Sequence, residues 1–327
     1  MRVRVRRHGP VQSLQGVPDP PPNTPLHSLV CEQIAFFIKS VSNNFVILTK
    51  AADKLLAPAP RSIMSSAAAT ADMLPLGNAD MLPPPLECPD NTLNLWRGFA
   101  AESIPYDPKK PGSAEPFVKY VKDLIASELD ADFFMTWAAS LVQSPGAKVA
   151  GGMAIVLVGS QGCGKSVLMD RTIGSAIIGD AHYSEAHDPG EVLSEFSEVR
   201  KGRLLCMVDD FDPSALCGNE KVAFNSLMTS ELTTYRKKHG PRVRLHNVLN
   251  FAFVANELRV PIPRDEDRRF VVIKCSDRLN GNRQFWTDYF EYLLKPENKR
   301  AIFDYLRAYP IEMDLATVRP PPGAEAE

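Results

Sequence analysis

The stretch MAIVLVGSQGCGKS, Met153 to Ser166, decides the fold. Its first six residues, Met153 to Val158, are continuously apolar and bounded by glycines, as expected of a strand buried on both faces of a parallel sheet. The next eight, Gly159, Ser160, Gln161, Gly162, Cys163, Gly164, Lys165 and Ser166, match G-x-x-x-x-G-K-[ST] at every specified position. Helical periodicity then runs from Val167 to Ile178. Strand, glycine-rich loop and helix in this order make a phosphate cradle. The glycines let successive N–H groups turn toward an anion, and the helix N-terminus adds its positive dipole end. Lys165 is then the residue that reaches the β- and γ-phosphates, and Ser166 is a ligand of Mg²⁺. ATP and Mg²⁺ are the ligands this segment calls for.

Further along the chain, the buried strand Leu204 to Val208 ends in two acids. A phosphate-loop hydrolase needs a carboxylate at the tip of a neighbouring strand, so Asp209 is assigned to the Mg²⁺ shell and Asp210 to water activation. Asp212, just beyond, reads as a loop residue. A third apolar run, Phe251 to Ala255, ends in Asn256, whose amide can hydrogen-bond both an attacking water and a γ-phosphate without adding charge. Taken alone, an Asn after a strand reads as a turn residue; its place as third motif in the series points to the catalytic role. Phe270 to Lys274 is a fourth strand, and Val192 to Val199 carries a second helical pattern. Strands alternating with helices imply a parallel α/β sheet.

Two basic segments accompany these motifs. TTYRKKHGPRVRLH, Thr233 to His246, alternates around a His-Gly-Pro break, the pattern of a β-hairpin. Its tip carries Arg236, Lys237, Lys238 and His239, with Arg242 and Arg244 on the return strand; a merely solvated, charged hairpin is the alternative. IPRDEDRRF, Ile262 to Phe270, offers Arg264, Arg268 and Arg269 as cations for a developing phosphate charge. Pairing of Arg268 with Asp265 or Asp267 is the structural alternative.

The remainder of the 327 residues bounds the reading. A net charge of −2 excludes a protein that coats nucleic acid through a globally basic surface, so any DNA contact must be confined. The six cysteines have no spacing suited to zinc and read as reduced thiols of an intracellular protein. That location does not decide between nucleus, cytoplasmic replication site and virion. No run approaches the roughly 18 apolar residues of a membrane span. Residues 1–90, with proline clusters and the run SSAAATAD, are expected to be largely disordered. Residues 91–147 form a helical collar, with one helix over Pro116 to Leu129 and another over Phe133 to Val142. Residues 148–278 form the core and 279–315 a helical segment, in which Phe285, Trp286, Tyr289, Phe290 and Leu293 make one apolar stripe and Ala301, Ile302, Tyr305 and Leu306 another. Residues 316–327 form a disordered tail.

The order of phosphate loop, acid pair, basic motif and strand ending in Asn, within the short interval Gly159 to Asn256, resembles the superfamily 3 helicases. NLWRGFA, Asn94 to Ala100, and the helical segment Phe285 to Asp314 look like the viral and phage primase-helicase branch. The resemblance covers about residues 91–315 and departs in having Asp-Asp where many relatives have Asp-Glu. It implies an α/β P-loop NTPase (AAA+-like) core with a parallel sheet, flanked by the N-terminal collar and the C-terminal helices. It further implies an ATP-dependent, hexameric DNA helicase of viral or mobile-element replication. Lys237, Lys238 and His239 would contact single-stranded DNA in the ring channel, and Arg268 or Arg269 would act on a neighbouring subunit's nucleotide. A primase or other replication protein is an expected partner. The competing readings are a nucleotide-dependent DNA-binding switch or loading factor, and an inactive relic of an integrated viral gene. A small-molecule kinase would need an arginine-rich lid, which the sequence lacks.

Overall fold

A computed structural model describes residues 79–90, 92–194, 199–210, 216, 218–236, 242–257 and 269–315. In chain order the elements are β1 (Ala79–Asp80), β2 (Leu93–Asn94), α1 (Glu115–Leu124), α2 (Glu128–Gln143), β3 (Ala154–Val158), α3 (Val167–Ile178), β4 (Tyr183–Ala186), α4 (Pro189–Leu193), β5 (Leu205–Val208), α5 (Gly218–Thr229), β6 (Leu232–Arg236), β7 (Arg242–His246), β8 (Asn250–Ala255), β9 (Phe270–Lys274), α6 (Arg283–Leu294) and α7 (Pro296–Ala308).

The apolar run before the glycine-rich loop is β3, and it sits where its composition requires, between two other strands. The main sheet is five-stranded with order β4-β5-β8-β3-β9, and its four pairings are all parallel. Successive side chains of β3 point to opposite faces. Ile155 and Leu157 join a core with α1, α2, α3, α6 and α7, whereas Ala154 and Val156 join Phe224, Leu227 and Met228 of α5 on the other face. The result is a three-layer α/β unit, as expected of strands that read as uninterrupted apolar runs.

Three expectations are corrected. The first concerns the helix expected over Pro116 to Leu129, which breaks in two. Ile125 turns extended and bridges to Cys275, and the Ser127 hydroxyl accepts from Asp130 N at 3.3 Å to start α2. The Ser-x-x-Asp cap outweighs the apolar periodicity there, which leaves Leu129 39% exposed. The second is the collar, which is no appendage. Phe133, Phe134, Trp137 and Leu141 of α2 are fully or almost fully buried in the same core as the sheet. The third is the start of the fold, which precedes residue 91. Parallel β1 and β2 pair Ala79 with Leu93 and Asp80 with Asn94, the Asn94 amide bonds both Leu82 N and Leu82 O at 3.1 and 2.8 Å, and Met81 and Leu82 are buried.

Smaller differences follow the same logic. Of the pattern read over Val192 to Val199, Val192 and Leu193 close the short α4, capped by the Asp188 side chain, and residues 195–198 lie outside the described residues. Phe290 of the α6 stripe faces outward. Helix α3 occupies the expected span but is wound in the wider π form, closed by Gly179 N donating to Gly174 O at 2.7 Å. The segment Asn94 to Ala100 docks through Trp96, stacked on His182 with 4.4 Å between ring centroids, and through Arg97 N donating to His182 Nε2 at 2.9 Å. Residues 1–78 and 316–327, expected to be disordered, lie outside the described residues. Among the described residues no helix is long and apolar enough to cross a membrane.

Candidate functional site

In an open parallel sheet, ligands bind beyond the carboxyl ends of the strands. The strand order puts β5, β8 and β3 side by side, so residues following each of them meet at one end of the sheet. Those residues are Asp209 and Asp210, Asn256, and the loop Gly159–Ser166. Their side chains make one network. Lys165 is 4% exposed and its Nζ donates to Gly159 O at 2.6 Å, Ser160 O at 2.8 Å and Asn256 Oδ1 at 3.4 Å. Asn256 Nδ2 in turn donates to Asp210 Oδ1 at 3.2 Å. Ser166 Oγ donates to Asp209 Oδ1 at 3.3 Å, and the same carboxylate oxygen accepts from Asp210 N at 3.0 Å. Asn256, on the strand between the other two, therefore links the lysine to the acid pair. Asp210 holds a left-handed backbone, with φ of 50°, an unfavourable conformation for a non-glycine residue and a recurrent one at functional sites. The Ser166 hydroxyl and the Asp209 carboxylate are hard oxygen donors of the kind that suits Mg²⁺.

The loop itself is held from outside. Tyr120 Oη of α1 donates to Gly164 O at 2.5 Å. Trp286 of α6 lies so close that a Cβ on Gly164, whose φ is +117°, would stand 2.5 Å from its Cη2. Ser160 Oγ donates to Asp277, and Asn280 Nδ2 donates to Gln161 O at 3.3 Å. Cys275, after β9, donates from its thiol to the Cys163 sulfur. This hydrogen bond, with burial opposing it and the Lys165 charge 3.7 Å away supporting it, lowers the Cys163 thiol to about 6. The same hydrogen bond and burial push Cys275 well up. None of these supports was read from the sequence, because each acts across the fold on a loop whose own residues already matched a motif.

Strand β4 adds two further residues. Its four residues, YSEA, are too short and too polar to read as a strand. Pairing with β5 puts Ala186 opposite Val208, and Asp209 N donates to Ala186 O at 2.9 Å, so Glu185 and His187 flank Asp209. Burial first, and then the charges of Asp170 and Asp209, raise the Glu185 carboxyl above its usual range.

The two strands of the expected basic hairpin pair as read. Strands β6 and β7 pair antiparallel with Arg236 opposite Arg242 and Thr234 opposite Arg244. Arg236, Arg242 and Arg244 are exposed, while Tyr235 and Leu245 face inward. The hairpin is rooted by Tyr235 Oη donating to Arg200 O at 2.7 Å, and by Asp80 accepting from His246 N and bonding His246 Nδ1, both at 2.6 Å. Lys237, Lys238 and His239 lie outside the described residues, as do Arg264 and Arg268. Arg269 is described, and it is not brought to the network. Its carbonyl accepts from Ala154 N at 2.7 Å, at the opposite end of β3 from the loop. That is roughly 16 Å away along five residues of strand at about 3.3 Å each.

Comparison with known proteins agrees with this architecture. A family model described as a family of unknown function (DUF5906) matches residues 157–269, from the end of β3 to the residue before β9. A curated protein, the DNA primase-polymerase of Nitratiruptor phage NrS-1, is 25% identical over 200 residues, 59% of this chain and 27% of that protein. Solved structures of the NrS-1 C-terminal region share the fold. One apo form superposes with a TM-score of 0.56 at 23% identity, over 70% of this chain and 53% of that one. A second gives 0.54 at 23% identity, over 69% and 52%. The chain thus spans about a quarter of the phage protein it matches and about half of the solved region. It is homologous to part of a phage replication protein and shares its α/β fold.

Proposed function

We propose that this chain is the motor of a DNA-replication enzyme: a ring-forming, ATP-dependent helicase of superfamily 3 type that moves on single-stranded DNA. The observation that carries the reading is the network joining Lys165, Asn256 and Asp210, with Ser166 on Asp209 beside it. Three motifs separate in sequence converge at one end of the sheet, an arrangement that suits a phosphate-loop hydrolase. The homology to a phage primase-polymerase supports a replication role.

In this reading Lys165 exchanges the carbonyls of its own loop for β- and γ-phosphate oxygens, and the amides of Gly159 to Ser166 cradle the phosphates. Ser166 and Asp209 hold Mg²⁺, which when bound neutralises developing phosphate charge. Asp210 takes the proton of the attacking water and Asn256 orients that water. Because Arg269 stands at the far end of β3 from its own loop, Arg268 or Arg269 serves a neighbouring subunit, which requires a ring. Arg236 and Arg242, directly opposite each other at the end of the β6–β7 pair and both exposed, offer two cations to a phosphate backbone. Lys237, Lys238 and His239 extend that surface. A hexamer, single-stranded DNA and a primase or other replication protein complete the proposal.

The test is ATP hydrolysis as a function of protein concentration, with and without single-stranded DNA. Activity should rise with both, and Lys165→Ala should lower kcat at least about 100-fold. Hydrolysis by a monomer indifferent to DNA would sink the reading.

A further inference from the structure

Beside the loop network stands a group of side chains with a different chemistry. Glu185 and His187 emerge at the carboxyl end of β4, Asp209 at that of β5, and the Asp209 N–H on Ala186 O fixes the two strand ends together. One ligand atom from each of Glu185, His187 and Asp209 lies within 4.8 Å of the other two. Three ligands on one side of a shared ion, bound at about 2.0–2.2 Å, stand roughly 3–3.6 Å apart. Closure onto one ion therefore needs at most about 1–2 Å of movement, within reach of rotamer adjustments of the exposed Glu185 and His187 side chains. The His187 ring is held only loosely, by Glu185 at 3.9 Å, and its side chain is 69% exposed. The set is not a bare acidic patch: it joins an imidazole nitrogen to two carboxylates. Its third member already holds the Ser166 hydroxyl of the loop.

We propose that Glu185, His187 and Asp209 bind one divalent transition-metal ion, in preference to Mg²⁺ and before any nucleotide arrives. Imidazole suits Zn²⁺, Fe²⁺, Ni²⁺ and Cu²⁺, and the two carboxylates suit Mn²⁺ as well, whereas Mg²⁺ demands a near-ideal octahedron and dehydrates reluctantly. Three protein ligands leave the ion's remaining positions to water. Asp209 is shared with the proposed nucleotide site, but the inference does not rest on that reading, because β4 and β5 alone hold the donors together.

The experiment is titration of the full chain with Mn²⁺ in the absence of nucleotide, following the electron paramagnetic resonance of free Mn²⁺. One ion per chain should bind. His187→Ala and Glu185→Gln, both at exposed positions, should each weaken binding about tenfold or more while circular dichroism stays unchanged. Equimolar Mg²⁺ should not displace the Mn²⁺. Absence of binding without nucleotide, binding indifferent to both substitutions, or displacement by equimolar Mg²⁺ would each overturn the proposal. Calorimetric titration with ATP in EDTA reads the loop separately. Mn²⁺ binding with no ATP binding sinks the nucleotide reading and leaves this one standing; ATP binding with no Mn²⁺ binding does the reverse.

Discussion

Asn256 carries the most consequence per atom. Among the described residues its side chain links the lysine to the acid pair, so its removal should disturb hydrolysis more than binding. For Asn256→Ala we expect a fall in kcat of about 100-fold with the dissociation constant for ATP changed less than about threefold; equal losses in both would mean that the amide serves only to hold the loop. Gly164 is limited by backbone and space together. Gly164→Ala must place a methyl 2.5 Å from Trp286 at a φ of +117° and should cost about 1–3 kcal/mol in urea denaturation. His182 gives the protein a sensitivity to acid. Its Nδ1–H donates to Gly202 O at 2.8 Å and its Nε2 accepts from Arg97 N, so the ring is held neutral, and burial lowers its pKa below the ordinary 6.5. Below pH 6.5 the unfolded chain takes up a proton that the folded chain refuses. Stability is therefore complete above that pH and declines as pH falls below it. His182→Gln should flatten the decline in a denaturation series from pH 7 to pH 5.

At the scale of elements, the hairpin and the helix ends make separable predictions. Arg236→Glu with Arg242→Glu should weaken single-stranded DNA binding more than tenfold and reduce the salt dependence by about two counterions. An unaltered salt slope would remove β6 and β7 from the DNA surface. Lys148 closes the carboxyl end of α5, with Nζ donating to Leu227 O at 2.9 Å, Met228 O at 2.7 Å and Leu249 O at 3.2 Å. Lys148→Met should cost about 2–3 kcal/mol, since it leaves buried carbonyls without donors. What was legible in the sequence follows element by element. β3, β5 and β8 announced themselves because central parallel strands are apolar on both faces, and β9, at the sheet edge, did so through its run of four apolar residues, Phe270 to Ile273. α3 was legible because a phosphate loop must feed a helix. β4 was not, since an edge strand of four residues carries too little pattern. α5 was missed because its outward residues Lys221, Val222 and Ala223 mix charge with apolar side chains and blur the period. The break between α1 and α2 depended on a cap that competes with an unbroken apolar stripe. At the site, Asp209, Asp210 and Asn256 were found from their order after apolar strands. Glu185, Cys275, Asp277 and Trp286 were not, because only the folded sheet and its helices bring them to the loop.

At the scale of the molecule, the helical layer on one face of the sheet bears on its loop end. α1 and α6 touch the phosphate loop through Tyr120 and Trp286, while α2 and α7 pack in the same core. A change of loop shape must therefore be felt in the collar and in the C-terminal helices. This makes them the natural transmitters between nucleotide and ring neighbours in the proposed motor. Sedimentation with ATP analogue and single-stranded DNA should show assembly that Lys165→Ala prevents. Assembly indifferent to that substitution would separate ring formation from the loop.

The chain has three tryptophans: Trp137 is fully buried in the core, Trp96 is stacked on His182, and Trp286 leans on Gly164. The protein thus contains its own optical probe. Occupation of the loop should change the intensity or wavelength of Trp286 emission without any label, Trp286→Phe should silence the change, and the remaining two tryptophans should supply a steady background against which it is read.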